Sequence, residues 1–133
     1  YRDEVLPNVA VRLKGEYSFR PVDDKPSWKL EFDELVRGRR FHGLERMTWN
    51  NAIQDPTFLS ERLGYRLARA VGLPAPRAAH ALVYVNGAFV GLYTNVETVD
   101  ATMLRRWFGD GRGPLLEEGG ADFEPDALDS FEV

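Results

Sequence analysis

The sequence predicts an α+β domain, an antiparallel sheet of roughly five strands with one main helix between the third and fourth strands. Three observations carry this reading. Apolar and polar residues alternate in "NVAVRLKG" (8–15) and "KPSWKLEFD" (25–33). A capped helical stretch follows at 54–76, and an Asn86-Gly87 pair sits between two β-rich runs.

In the first stretch Val9, Val11 and Leu13 alternate with Ala10, Arg12 and Lys14, the period of a strand with two unlike faces. "EYSFRPVDD" is turn-rich and leads into the second strand, where Trp28, Leu30 and Phe32 oppose Ser27, Lys29 and Glu31. The two are expected to pair antiparallel. "ELVRGRRFHG" reads as a polar connection and "LERMTWNN" as a third, shorter strand. The main helix is placed at about residues 57–71, with Asp55 as its cap and Pro56 at the first helical position, where a missing N–H costs nothing. Leu59, Leu63, Leu67 and Ala70 share one face by helical spacing. Gly72, Pro74 and Pro76 end the helix, and Gly64 within it implies a close backbone approach to offset its poor helix propensity. "AAHALVYVNGAFVGLYTNVE" is a hairpin turning on Asn86-Gly87, which suits the two positive-φ positions of a type I′ turn. A short helix follows at about residues 100–108, capped by Asp100 and stopped at Gly109.

Composition narrows the function classes. The 133 residues are 44% hydrophobic and 29% charged, with no cysteine, which excludes disulfides and thiolate metal sites. No apolar run approaches the roughly 18 residues of a membrane span. The net charge of −4 is unevenly placed. Of the 21 acids, seven lie in residues 117–133, which hold no base, so residues 1–116 carry 17 bases against 14 acids. That surplus suits an anionic ligand and is too small to indicate nucleic acid. The domain is therefore assigned to residues 1–116 and the acidic, loosely ordered end to 117–133. The chain starts at Tyr1 with a strand pattern almost at once, as expected of a piece of a longer protein.

Several stretches resemble the CotH family, spore-coat kinases with an atypical protein-kinase fold. They are "VRLKGEYSF", "KPSWKLEFD", "WNNAIQDPTFLSERLGYRLARAVGLPAP", "ALVYVNGAFVGLYTNVETVD" and "LLEEGGADF", in family order over most of residues 8–123. The resemblance implies a kinase-like N-lobe with a hinge region, acting in transfer of the γ-phosphoryl group of ATP to Ser or Thr of a protein partner of the coat or surface class. It also implies Mg²⁺, with ligands outside these residues, because the family's catalytic-loop and metal-binding aspartates lie further downstream. The expected compartment is the spore coat, the cell surface or the exterior. The fragment alone is not expected to catalyse, and its lower face is expected to pack on an absent C-lobe. The alternative is a non-catalytic scaffold acting in coat or surface assembly.

Phosphoryl transfer needs a cation at the phosphates, held in position. Lys29 is the first candidate, oriented by Glu61; a solvated strand lysine and a carboxylate placed for the helix dipole also account for them. Lys14, Gly15 and Ser18, at the first turn, suit a phosphate cradle or a plain hairpin turn. "NVETVD" falls at the hinge, where Glu97 and Asp100 could meet ribose hydroxyls, Asp100 being also the helix cap. Asn50, Asn51, Gln54 and Asp55 are explained by turn-building, with ligand binding as the second reading. His42 and His80 lack partners of metal-ligand spacing.

Overall fold

The computed structural model describes residues 3–15, 18–118 and 131–132. In chain order the elements are β1 (Ala10–Lys14), β2 (Ser27–Glu31), β3 (Arg46–Asn50), α1 (Ser60–Ala70), β4 (Ala78–Val85), β5 (Ala88–Glu97), α2 (Ala101–Phe108), β6 (Glu117–Glu118) and β7 (Phe131–Glu132). The first five strands form one antiparallel sheet in the order β1-β2-β3-β5-β4. The fold class is thus α+β, as the sequence reading has it. Two compact units divide the chain at Val99/Asp100.

Within the first unit the alternation in the sequence becomes two unlike sheet faces. Leu13, Trp28 and Trp49 lie side by side across β1, β2 and β3, and Val11, Leu30 and Met47 form the next row of the same face. The opposite face carries Arg12 beside Lys29 beside Thr48, with Lys14 beside Ser27 at one end and Glu31 beside Arg46 at the other. The row through Asn50 continues across β5 and β4 as Thr94 and His80. The best-buried side chains include Phe32, Val83 and Tyr93, the last wholly enclosed. The β4–β5 turn places Asn86 at φ 51° and Gly87 at φ 80°, both in the left-handed region that a type I′ hairpin needs.

Helix α1 departs from the sequence reading at its start. It begins at Ser60, and Pro56 lies in a turn ahead of it. Asp55 does serve the helix end, accepting from Ser60 N at 2.8 Å, but it also accepts from Thr57 N at 3.1 Å and from the Thr57 hydroxyl. With Phe58 at φ 58°, this Asx-type turn holds residues 55–59 out of the helix. The leucine face of the helix is not its covered face. Glu61, Tyr65, Ala68 and Arg69 are its half-buried residues, and no residue in it is fully buried. Leu59, Leu63 and Leu67 remain 43, 55 and 68% exposed. A Cβ added at Gly64 would meet nothing within 4 Å, so the expected close approach is absent among the described residues.

In the second unit Asp100 caps α2 through Thr102 N and Met103 N, and Gly109 ends it at φ 76°. β6 pairs antiparallel with β7. The rest of the acidic 117–133 stretch lies outside the described residues. No described helix is long and apolar enough to cross a membrane.

Candidate functional site

β1 ends at Lys14, and the chain turns there because Gly15 sits at φ 126° with Phe19 N only 2.9 Å from where a Cβ would stand. That crowding admits glycine and little else. The turn lies close to the β3–α1 loop, residues 51–59, and the two are tied by Asn51. Its buried amide donates to Ser18 O (3.3 Å) and Lys25 O (3.2 Å) and accepts from Ile53 N (3.2 Å), while its backbone N–H donates to Ser27 Oγ at 2.9 Å. A cavity of about 260 Å³ opens between these segments, lined by Lys14, Ser18, Ser27, Asn50, Gln54 and Glu61 among others.

Asn50 organises this cavity. Its Oδ1 accepts from Lys14 Nζ at 3.0 Å and its Nδ2 donates to Glu61 Oε1 at 2.5 Å. A neutral amide thus stands between an ammonium group and a carboxylate, fixing both without neutralising either. That bond uses one of the three N–H donors of Lys14. Asp55, at the cavity edge, is held as an anion: the hydrogen bonds from Thr57 and Ser60 pull its carboxyl down to about 2. Lys25 braces the loop from below, donating to Asn51 O at 2.9 Å, with its ammonium 4.7 Å from the Phe58 ring centroid and 5.4 Å from that of Tyr93. Burial lowers its pKa.

Of the residues singled out from sequence, Lys14, Ser18 and Glu61 come together here, with Gly15 forming the turn. Lys29 does not line the cavity and is not in ion-pair contact with Glu61. It lies one row along the same face, 3.8 Å from Glu31 Oε1. Glu97 is buried and ties the start of β4 to the end of β5, accepting from Arg77 N at 2.9 Å and Arg77 Nη2 at 3.1 Å. Asp100 is engaged by the first turn of α2.

Sequence reasoning put turn-building first for Asn50 and ligand binding second, and overlooked Lys25. The signal for Asn50 was present: an amide in the last position of a central strand, on the same face as Ser27 and Lys14. Its use depends on register, which no local pattern specifies. Lys25 had no signal beyond its position before Pro26.

Two comparisons bear on this arrangement. A family described as CotH kinase protein matches residues 11–133. An inner spore coat protein H-like protein of Bacillus subtilis (strain 168) is 31% identical over 75 residues, a match that spans 56% of this chain and 22% of that protein. With the family match running from β1 to the end of the sequence, the chain belongs to the CotH family.

Proposed function

We propose that the chain is the nucleotide-binding lobe of a CotH-type atypical protein kinase, with a kinase-like N-lobe fold, acting on ATP and on Ser or Thr of a coat or surface protein. The observation that carries this reading is the Lys14–Asn50–Glu61 chain of hydrogen bonds at the mouth of the cavity. Phosphoryl transfer asks little covalent chemistry of the protein and much positioning of charge. Lys14, fixed at its base by Asn50, meets the phosphate oxygens with its remaining donors. Glu61 acts through Asn50 to hold that amide in the orientation that presents Oδ1 to the lysine. Ser18, with Gly15 at the turn, closes the cradle.

Mg²⁺ belongs to this chemistry, but among the described residues no three His, Cys, Asp or Glu side chains gather as a metal site. Glu61 and Asp55 are committed to Asn50 and to the helix start. We expect the ligands for the ion from the downstream aspartate motifs that the family resemblance implies, and nothing in the role of Lys14 depends on them.

The test is ATP-dependent labelling of a protein acceptor by the longer protein that contains this chain. Lys14→Met and Asn50→Ala should each lower transfer by about a hundredfold, the scale of losing one preorganised electrostatic contact. Full activity in both would remove the assignment. A second reading, a non-catalytic scaffold in spore-coat assembly, draws on the coat-protein name of the Bacillus subtilis relative. It predicts no transfer by the intact longer protein at all.

A further inference from the structure

Beside the cavity, on the same sheet face, three cations share one carboxylate. Glu31 Oε1 lies 3.7 Å from Arg12 Nη2, 3.8 Å from Lys29 Nζ and 3.6 Å from Arg46 Nε. All three separations exceed hydrogen-bond length. Arg46 Nε is buried with no hydrogen-bond partner. The group carries a surplus of two positive charges, and Arg12 stands directly opposite Lys29 in the β1–β2 register, a like-charge pairing that destabilises a ladder. The Lys29 pKa is lowered by burial and then by Arg12, with Arg46 and Lys14 adding to the effect and Glu31 opposing it. Ordinary surface ion pairing does not account for such a cluster, since one acid cannot satisfy three cations, and a buried N–H left without an acceptor costs free energy. Glu31 and Lys29 are largely covered, while Arg12 and Arg46 are open to solvent on their outer sides.

We propose that Arg12, Lys29 and Arg46 form a second anion site that takes a dianionic phosphate group, apart from the cavity at Lys14. Two guanidinium groups and an ammonium around one tetrahedral dianion supply the charge-assisted donors that phosphate recognition uses. Glu31 fixes the spacing of the three cations and limits affinity, keeping the site for dianions over carboxylates. The phosphate is either free in solution or carried on a phosphorylated serine or threonine side chain. The inference does not rest on the nucleotide reading, because Arg12, Lys29 and Arg46 do not line the cavity.

The experiment is a nuclear magnetic resonance titration of the 133-residue chain, following the side-chain signals of Arg12, Lys29 and Arg46. Inorganic phosphate is added in one arm. A phosphoserine peptide and its unphosphorylated form are added in the others. Saturable shifts at the three residues are expected with phosphate, with the phosphopeptide, or with both, and none with the unphosphorylated peptide. Whichever ligand shifts them identifies the source. Arg46→Gln should weaken binding by about tenfold, and Glu31→Gln should tighten it several-fold by removing the competing charge. If Glu31→Gln does not fold, Arg12→Gln, at an exposed position, serves as the second variant and should also weaken binding. Absence of saturable shifts would overturn the proposal, as would an unchanged or weaker affinity in folded Glu31→Gln. Loss of phosphate binding in Lys14→Met would also overturn it, by making the cluster part of the cavity.

Discussion

At the scale of single residues, the cavity is shaped by side chains whose roles depend on neutrality or charge at one atom. Asn50 joins Lys14 to Glu61 because an amide offers one acceptor and two donors; an aspartate there would pair with the lysine and repel the glutamate. Asp55 does the reverse, using a full charge to gather N–H and O–H groups of the following turn. Its native carboxyl titrates at about 2 against 3.8 unperturbed, so the folded state binds its proton less readily than the unfolded chain. The sign follows by linkage: its stabilising contribution is complete above 3.8 and is lost as pH falls towards about 2. Asp55→Asn should therefore lower the thermal midpoint near neutral pH and reduce its fall with acid over that window. Thermal melts at a series of pH values read both effects; an unchanged acid limb would contradict the cap assignment.

At the scale of elements, α1 shows how far periodicity carries. The spacing of Leu59, Leu63 and Leu67 correctly places them on one face, yet that face is exposed and the half-buried side carries Glu61, Tyr65 and Ala68, with Glu61 bonded to Asn50 of β3. Periodicity says which side chains travel together, and only packing says where they point. The hairpin at Asn86-Gly87 and the strand pair β1–β2 were legible because their determinants are local: two positive-φ positions and an alternating pattern. The start of α1 was not, because Asp55 takes Thr57 on Oδ1 and Ser60 N on Oδ2, and the turn this builds holds the chain out of the helix up to Leu59. Gly64, with open space around its α-carbon, gives a direct check. Gly64→Ala should stabilise this chain by about 0.5–1 kcal/mol through helix propensity and a less flexible unfolded state. Chemical denaturation measures it, and destabilisation would mean that something packs against Gly64 after all.

At the scale of the whole molecule, the sheet turns a linear pattern into two surfaces with separate duties. Leu13, Trp28, Trp49 and their neighbours make one face apolar, while the other gathers Lys14, Arg12, Lys29 and Arg46 although they come from three strands. The basic surplus of residues 1–116, small as a total, becomes a local field once the strands are in register. The sequence made Lys29 the lysine to watch; the register instead sets Lys14 at the cavity and Lys29 in the cluster beside it. Pairing of Lys29 with Glu61 was not decidable from spacing because the place of Lys29 depends on strand register and that of Glu61 on how the β3–α1 loop folds back. The most direct test of the central claim is an amide-detected titration of the chain with ATP. The account predicts shifts at the Asn50 and Asn51 side-chain amides and at Ser18, with affinity lowered about tenfold or more in Asn50→Ala. Binding that Asn50→Ala leaves untouched, or shifts that bypass the cavity, would contradict it.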